Sequence, residues 1–365
     1  MKPLPTPVIK PSQAKNTGAA SQKTQPTGGV LLGENVFWNP AKLPNGHVVL
    51  IGASGSGKTQ TLKAIAYELP KVFSTLRVIT VDFHGDLELP NEICYPLNME
   101  SPYGINLLTI DIDTKGGGPN LQAIAVAAIL KKALQLGANQ EGAIIDLLIN
   151  CYNMRGIRQD DVATWTRTPP TFADLRNEIE SRVEDGCKES AKLQLKLAAT
   201  FQYGIFDKTQ PDLSHQVIRF DLSALGKVPG LSAIAAEALA KQLMDSHRLQ
   251  GEVEGKIPRT YLFVDEAKEI KNSHSIKLIL ADGRKYGMNA VLASQRDAEI
   301  SDEVIANSSS KIVLPVDQSE VKRVAKRFRF AENVVAQLRP LQALVRMGSE
   351  GQLCKIKPYY ERVSD

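Results

Sequence analysis

The chain is poor in several features at once, and each scarcity excludes something. Its four cysteines, Cys94, Cys151, Cys187 and Cys354, stand far apart, with no Cys-x-x-Cys pair and no Cys/His cluster. That spacing argues against a zinc site and against a disulfide framework, and makes a reducing cytoplasm the expected compartment. No apolar run approaches the roughly 18 to 20 residues that a membrane helix needs. The longest candidate, AIAVAAIL at 123–130, runs directly into Lys131 and Lys132, so no membrane insertion is expected. Charge of one sign is also in short supply: 44 Lys+Arg against 40 Asp+Glu leave a net +4. Contact with a polyanion must therefore be local. Residues 1–29 contain Lys2, Lys10, Lys15 and Lys23 but no acid, and they lack the apolar centre of a signal peptide. They read as a disordered basic arm, either a solvated extension or a tether for nucleic acid or a partner.

What is present is enough apolar material, 43% of 365 residues, for a substantial core. Short β-branched runs recur between amphipathic segments: HVVLIGA (47–53), RVITVDF (77–83), QVIRFDLS (216–223), TYLFVDEA (260–267), NAVLASQ (289–295) and KIVLPV (311–316). Near-continuous apolar strands alternating with helical patterns predict an α/β fold, a mainly parallel sheet with helices on both faces. ALVRMGS (343–349) and GQLCKIKPY (351–359) flank a turn-prone Ser-Glu-Gly and predict a closing hairpin. Between 105 and 215 the strand signal gives way to helical patterns, with a breaker at TRTPPT (166–171). The expected organisation is a discontinuous core, 30–104 and 216–365, with a mostly α-helical insertion at 105–215.

The stretch Gly52-Ala53-Ser54-Gly55-Ser56-Gly57-Lys58-Thr59 matches GxxxxGK[ST], and Gln60 follows it into a helical pattern. Glycines at these positions let backbone N–H groups surround phosphate oxygens. Lys58 reaches the terminal phosphates, and Thr59 offers a hydroxyl to Mg2+. A strand before and a helix after give the motif its proper setting, and ATP is the expected ligand. TYLFVDEA delivers Asp265 and Glu266 to the carboxyl end of a second strand, where ligands of α/β sheets bind. Asp265 is placed to hold hydrated Mg2+ and Glu266 to activate a water. The absence of Asn-Lys-x-Asp disfavours a guanine switch. Lys58 and Asp265 lie 207 residues apart, which fits an interrupted sheet rather than a compact kinase. NAVLASQR ends a third strand at Gln295, which is either a γ-phosphate sensor or a satisfied amide at a strand end.

The set GASGSGKT, VDFHGDL, YGINLL, FVDEA, GRKYG and ASQ, in this order from about residue 30 to residue 350, resembles the HerA and FtsK superfamily of P-loop ATPases. The resemblance is particularly to the HerA-like branch that includes ATPases of type IV secretion. The resemblance implies a RecA-like (ASCE) P-loop NTPase core and a ring motor, often hexameric, that pumps DNA or protein through a central channel. It implies the phosphate-loop pair at Lys58 and Thr59, the carboxylates at Asp265 and Glu266 and the sensor at Gln295. It also implies polar positions near the nucleotide at Asp82 and Asn106, each of which reads equally as a strand cap or turn residue. Arg284 matches an arginine that reaches a neighbouring subunit's nucleotide, with a surface arginine as the alternative and Lys285 as an adjacent competitor. HerA proteins carry an amino-terminal β-barrel, and secretion coupling proteins carry membrane helices. Neither pattern is found here, so the resemblance covers the motor module. Implied partners are DNA, further copies of the chain, and accessory nuclease, restriction or secretion proteins.

SEVKRVAKRFRF (319–330) sets Val321, Val324, Ala325 and Phe328 on one helical face. Lys322, Arg323, Lys326, Arg327 and Arg329 lie around the other. The basic face suits phosphate oxygens without reading sequence, or a solvated surface, or an acidic neighbouring subunit. The functional expectation is an ATP-hydrolysing DNA translocase. The alternative is a nucleotide-driven switch or assembly ATPase that acts on proteins.

Overall fold

The structure is a computed structural model that describes residues 28–255, 258–271 and 273–363; the expected basic arm, apart from Gly28 and Gly29, lies outside the described residues. The chain opens with β1 (Val30–Gly33) and β2 (Val36–Trp38), which pair antiparallel. Glu34 and Asn35 between them both have positive φ, at 38° and 71°, as a two-residue primed hairpin turn requires. The chain continues through β3 (Val48–Ile51), α1 (Lys58–Val72), β4 (Arg77–Asp82) and β5 (Ile93–Pro96). Four helices follow: α2 (Pro119–Leu134), α3 (Ala138–Met154), α4 (Phe172–Glu184) and α5 (Lys188–Tyr203). Next come β6 (Val217–Asp221), α6 (Leu231–Leu249), β7 (Thr260–Val264), α7 (His274–Asp282) and β8 (Met288–Ser294). The last elements are α8 (Asp302–Asn307), β9 (Ser310–Val313), α9 (Val321–Phe328), α10 (Glu332–Ala336), β10 (Gln342–Met347), β11 (Glu350–Lys355) and α11 (Tyr359–Arg362).

The main sheet has nine strands in the order β11-β10-β9-β3-β8-β7-β4-β6-β5. From β9 to β5 every neighbouring pair is parallel, while β10 and β11 close the edge as an antiparallel hairpin. Its turn falls at Gly348-Ser349, where Gly348 has φ 62°, one residue before the expected Ser-Glu-Gly. The six apolar runs read from the sequence all become strands of this sheet. β5, an edge strand beside β6, was not among them, because ICYP is too short to show a period of two. The β1–β2 hairpin was also unexpected.

Period-two alternation divides each central strand between two cores. Val49, Ile51, Leu262, Val264, Ala290 and Leu292 face one apolar cluster together with Ile234, Leu239 and Leu243 of α6. That cluster continues without a break into α2–α5 through Val126, Ile144, Leu148, Leu175 and Leu197. Val48, Leu50, Tyr261, Phe263, Val291 and Ala293 face the other cluster, with Leu62, Ile65 and Leu69 of α1 and Trp38 of β2. Among the described residues, no helix is long and apolar enough to cross a membrane.

Two imidazoles are sealed into this framework. His47, just before β3, accepts the amide of Ala290 on Nδ1, and burial together with the nearby Arg284 charge lowers its pKa to about 3. His247 on α6 donates from Nδ1 to the Leu243 carbonyl and accepts from the Thr260 hydroxyl; burial, opposed by that carbonyl, lowers its pKa to about 4. Below the ordinary value of 6.5 the unfolded chain therefore binds protons that the folded chain refuses. Stability must fall as pH drops from 6.5 toward these folded-state values, with a limiting loss on the order of 3 to 5 kcal/mol per imidazole. The urea midpoint is expected to decrease between about pH 7 and about pH 5, and His47→Asn, which keeps an acceptor without the titration, is expected to flatten the dependence. A midpoint constant over that range would contradict the assignment.

Candidate nucleotide site

The phosphate loop follows β3, and the sheet places β3 beside β8 and β8 beside β7. Because these strands are parallel, their carboxyl ends share one edge, which brings Gly52–Thr59, Gln295 and the Asp265–Glu266 pair together. The loop is held to that edge by the Gly52 amide on Ser294 and the Ala53 amide on Pro315. Gly55 and Gly57 have φ of 75° and 100°, which an L side chain adopts only under strain. A Cβ on Gly57 would also lie 2.5 Å from Leu341 Cδ2. Leu341 donates its amide to the Ser56 carbonyl at 3.0 Å, so the segment before β10 forms one wall of the loop. Ser56 Oγ is buried with no hydrogen-bond partner. The first-turn amides of α1, among them Lys58 and Thr59, have no acceptor within the helix and present a positive end.

Lys58 is buried and donates from Nζ to Asp265 Oδ1 at 2.7 Å, with Glu266 Oε1 at 3.8 Å. Burial raises the Asp265 pKa, and the Lys58 ammonium opposes that shift. Burial also pushes Glu266 upward, but Lys58, the His84 hydrogen bond and Lys268 outweigh it, and its pKa is lowered. Glu266 Oε1 accepts from Gln295 Nε2 at 3.1 Å and from His84 Nε2 at 3.1 Å. Glu266 Oε2 is buried without a hydrogen bond, 3.5 Å from Lys268 Nζ. A cradle of amides, an orphaned hydroxyl and a lysine on a carboxylate fit a triphosphate. Thr59 and Asp265, both hard oxygen donors, fit Mg2+.

The remaining sequence candidates fall in different places. Asp82 is fully buried and accepts from the amides of His84, Gly85, Asp86 and Leu87, while its Oδ2 also receives Arg219. Its acceptor capacity goes to shaping the loop after β4 rather than to an open site. Asn106 accepts from the Leu108 amide and donates to the Pro170 carbonyl, tying a turn to the segment before α4. Arg284 is exposed in the turn before β8, at the amino-terminal edge of the sheet. The seven-residue β8 spans roughly 23 Å, so Arg284 stands a strand length away from its own loop. Among the described residues Arg284 makes no ion pair, whereas Lys285 is bound to Glu252 at 2.9 Å.

On α9 the apolar face is buried as expected, but the basic face is not all free. Arg323 binds Asp297 and Glu320, and Arg327 binds Asp297 and Asp302. These ion pairs dock α9 onto the segment after β8. Lys322, Lys326 and Arg329 are exposed, and so is Arg323 despite its ion pairs. A cavity of about 620 Å³ between α2, α6 and α7 contains none of the nucleotide-site residues.

No protein-family model matches the chain. A curated relative, the DNA double-strand break repair helicase HerA of Sulfurisphaera tokodaii, is 24% identical over 297 residues. The match covers 76% of this chain but only 57% of that protein. VirB4 of Thermoanaerobacter pseudethanolicus superposes with a TM-score of 0.75 at 17% identity, covering 92% of this chain and 98% of that one. The fold is that of an α/β P-loop NTPase, as in VirB4. A second solved neighbour, the plasmid coupling protein TrwB in complex with ADP and Mg2+, gives a TM-score of 0.58 at 17% identity over 85% of this chain and 84% of that one.

His84, Lys268 and Leu341 were not singled out from the sequence. VDFHGD was visible as a motif, but only the fold brings its histidine to Glu266. Gly57→Ala is expected to weaken binding of ATP about tenfold or more, measured by calorimetry, through backbone strain at φ 100°. Pairing it with Leu341→Ala relieves the contact but not the strain, so affinity should stay low. Full recovery in the double variant would assign the effect to crowding alone.

Proposed function

We propose that this chain is an ATP-hydrolysing motor that moves DNA and works as a homo-oligomeric, hexameric ring. The observation that supports this reading best is the strand order β3-β8-β7. It inserts the sensor strand between the phosphate loop and the carboxylates and gathers Lys58, Gln295 and Glu266 at one sheet edge. The matched relative is named a DNA repair helicase and TrwB a conjugative coupling protein, and both names concern DNA handling. Since the chain spans 57% of the curated relative, its activity and partners belong to the proposal.

ATP enters the amide cradle and draws Lys58 from Asp265 to the terminal phosphates. Mg2+ held by Thr59 and Asp265 would supply charge neutralisation on the phosphate oxygens. Glu266, kept ionised by its cationic neighbours, accepts the proton of the attacking water. Arg284, without an ion pair among the described residues and a strand length from its own loop, serves the nucleotide of an adjacent subunit. Lys322, Lys326 and Arg329 offer contacts to phosphate oxygens that read no sequence.

The reading predicts a Mg2+-dependent ATPase that DNA stimulates, with turnover rising with DNA length at low salt. Turnover indifferent to DNA of any length, combined with nucleotide-dependent capture of a protein that survives nuclease treatment, would favour the protein-directed alternative. Glu266→Gln should retain ATP and lose hydrolysis by about a hundredfold or more, as measured in single turnover. Arg284→Ala should bind ATP yet lose assembly-dependent turnover, and mixing it with Glu266→Gln protein should restore part of the activity. Mixed assemblies with no recovery would remove Arg284 from the trans role.

A further inference from the structure

Glu266 Oε1 is the carboxylate oxygen nearer Lys58, and therefore the one on the phosphate side. It already accepts two side-chain donors, His84 Nε2 and Gln295 Nε2, each at 3.1 Å. An ionised carboxylate has about four acceptor positions, two on each oxygen. With both positions on Oε1 occupied and Oε2 sealed from solvent, the base has no open place for the proton of a water. One of the two donors must leave before Glu266 can act.

The two donors are anchored very differently. Gln295 is an exposed side chain at the tip of β8, where swinging costs little. His84 has a half-exposed ring but an immobilised backbone. Asp82, itself buried, binds four successive amides of its loop, those of residues 84 to 87, and Gly85 takes a positive φ of 81° to allow the turn. Arg219 holds Asp82 in turn at 3.3 Å and is fixed on its other side by Glu92 at 2.7 Å. The loop is thus built from the floor of the sheet upward to present one imidazole to one carboxylate.

We propose that His84 is a positioning residue, the fixed half of a two-donor clamp on Glu266 Oε1. Gln295 is the releasable half, drawn off by the γ-phosphate to open the acceptor position that the attacking water needs. The proposal rests on the hydrolytic reading above and adds the residue that sets the orientation of its base. In the reaction the water's proton passes to Oε1 as its oxygen bonds to the γ-phosphorus and the bond to the β-phosphate oxygen breaks. His84 keeps its own proton throughout.

The experiment has two arms. In nucleotide-free full-length protein, the imidazole nitrogen spectrum of His84 should show a protonated Nε2 whose resonance shifts in Glu266→Ala. A deprotonated Nε2, or a resonance indifferent to Glu266, overturns the clamp whether or not the protein hydrolyses ATP. In turnover, His84→Ala should lower kcat about tenfold or more while leaving ATP affinity unchanged. His84→Gln, whose amide nitrogen can replace Nε2 as donor, should recover most of that loss. Equal kcat in wild type and His84→Ala, or a parallel fall in kcat and affinity without recovery in His84→Gln, also overturns it. Wild-type protein that turns over no ATP counts against the hydrolytic reading alone, since the spectrum then decides the clamp.

Discussion

The buried Lys58–Asp265 pair, with Glu266 beside it, is the interaction on which the site depends. Removing an ammonium and two carboxylates from water is costly, and one cation between two anions leaves the group formally negative. The cost is tolerated because the three charges lie within a few ångströms and because Gln295, His84 and Lys268 share the remaining carboxylate. With a triphosphate bound, Lys58 would exchange a carboxylate for phosphate oxygens, and Asp265 would be free to hold the counter-cation.

That exchange need not stay local, because β8 continues into the segment that holds the basic helix. Gln295 is followed by Arg296, which binds Glu320 at the start of α9, and by buried Asp297, which receives both Arg323 and Arg327. The tip of β8 is therefore joined to α9 through charge-assisted hydrogen bonds rather than through a flexible linker. Arg323 and Arg327 make this connection from the basic face of α9.

Much of the fold was legible in the sequence because burial on both faces imposes unbroken apolar strands, and the phosphate loop because its glycines are dictated by backbone geometry at φ values such as 100°. The carboxylate pair was legible for a related reason, since a strand ending in Asp-Glu can place charge only at its tip. Less was visible where signals were short or shared. β5 has four residues at a sheet edge, and the β1–β2 turn relies on Glu34 and Asn35, which resemble any polar loop. Asp82 and Asn106 read alike in one dimension. Asp82 proves to organise a loop beside the site and Asn106 a turn against the helical segment.

The sequence by itself determined that a nucleotide cradle, two carboxylates and a strand-end amide exist, because each is encoded in a few consecutive residues. Only the tertiary structure decided how they meet. The order β3-β8-β7 sets β3 beside strands that follow it by more than two hundred residues. Lys285 pairs with Glu252 across the fold, and the place of His84 turned on a loop folded around Asp82. Contacts between residues far apart in the chain leave no local pattern, so the chemistry of the site was written in the motifs and its coupling in the packing.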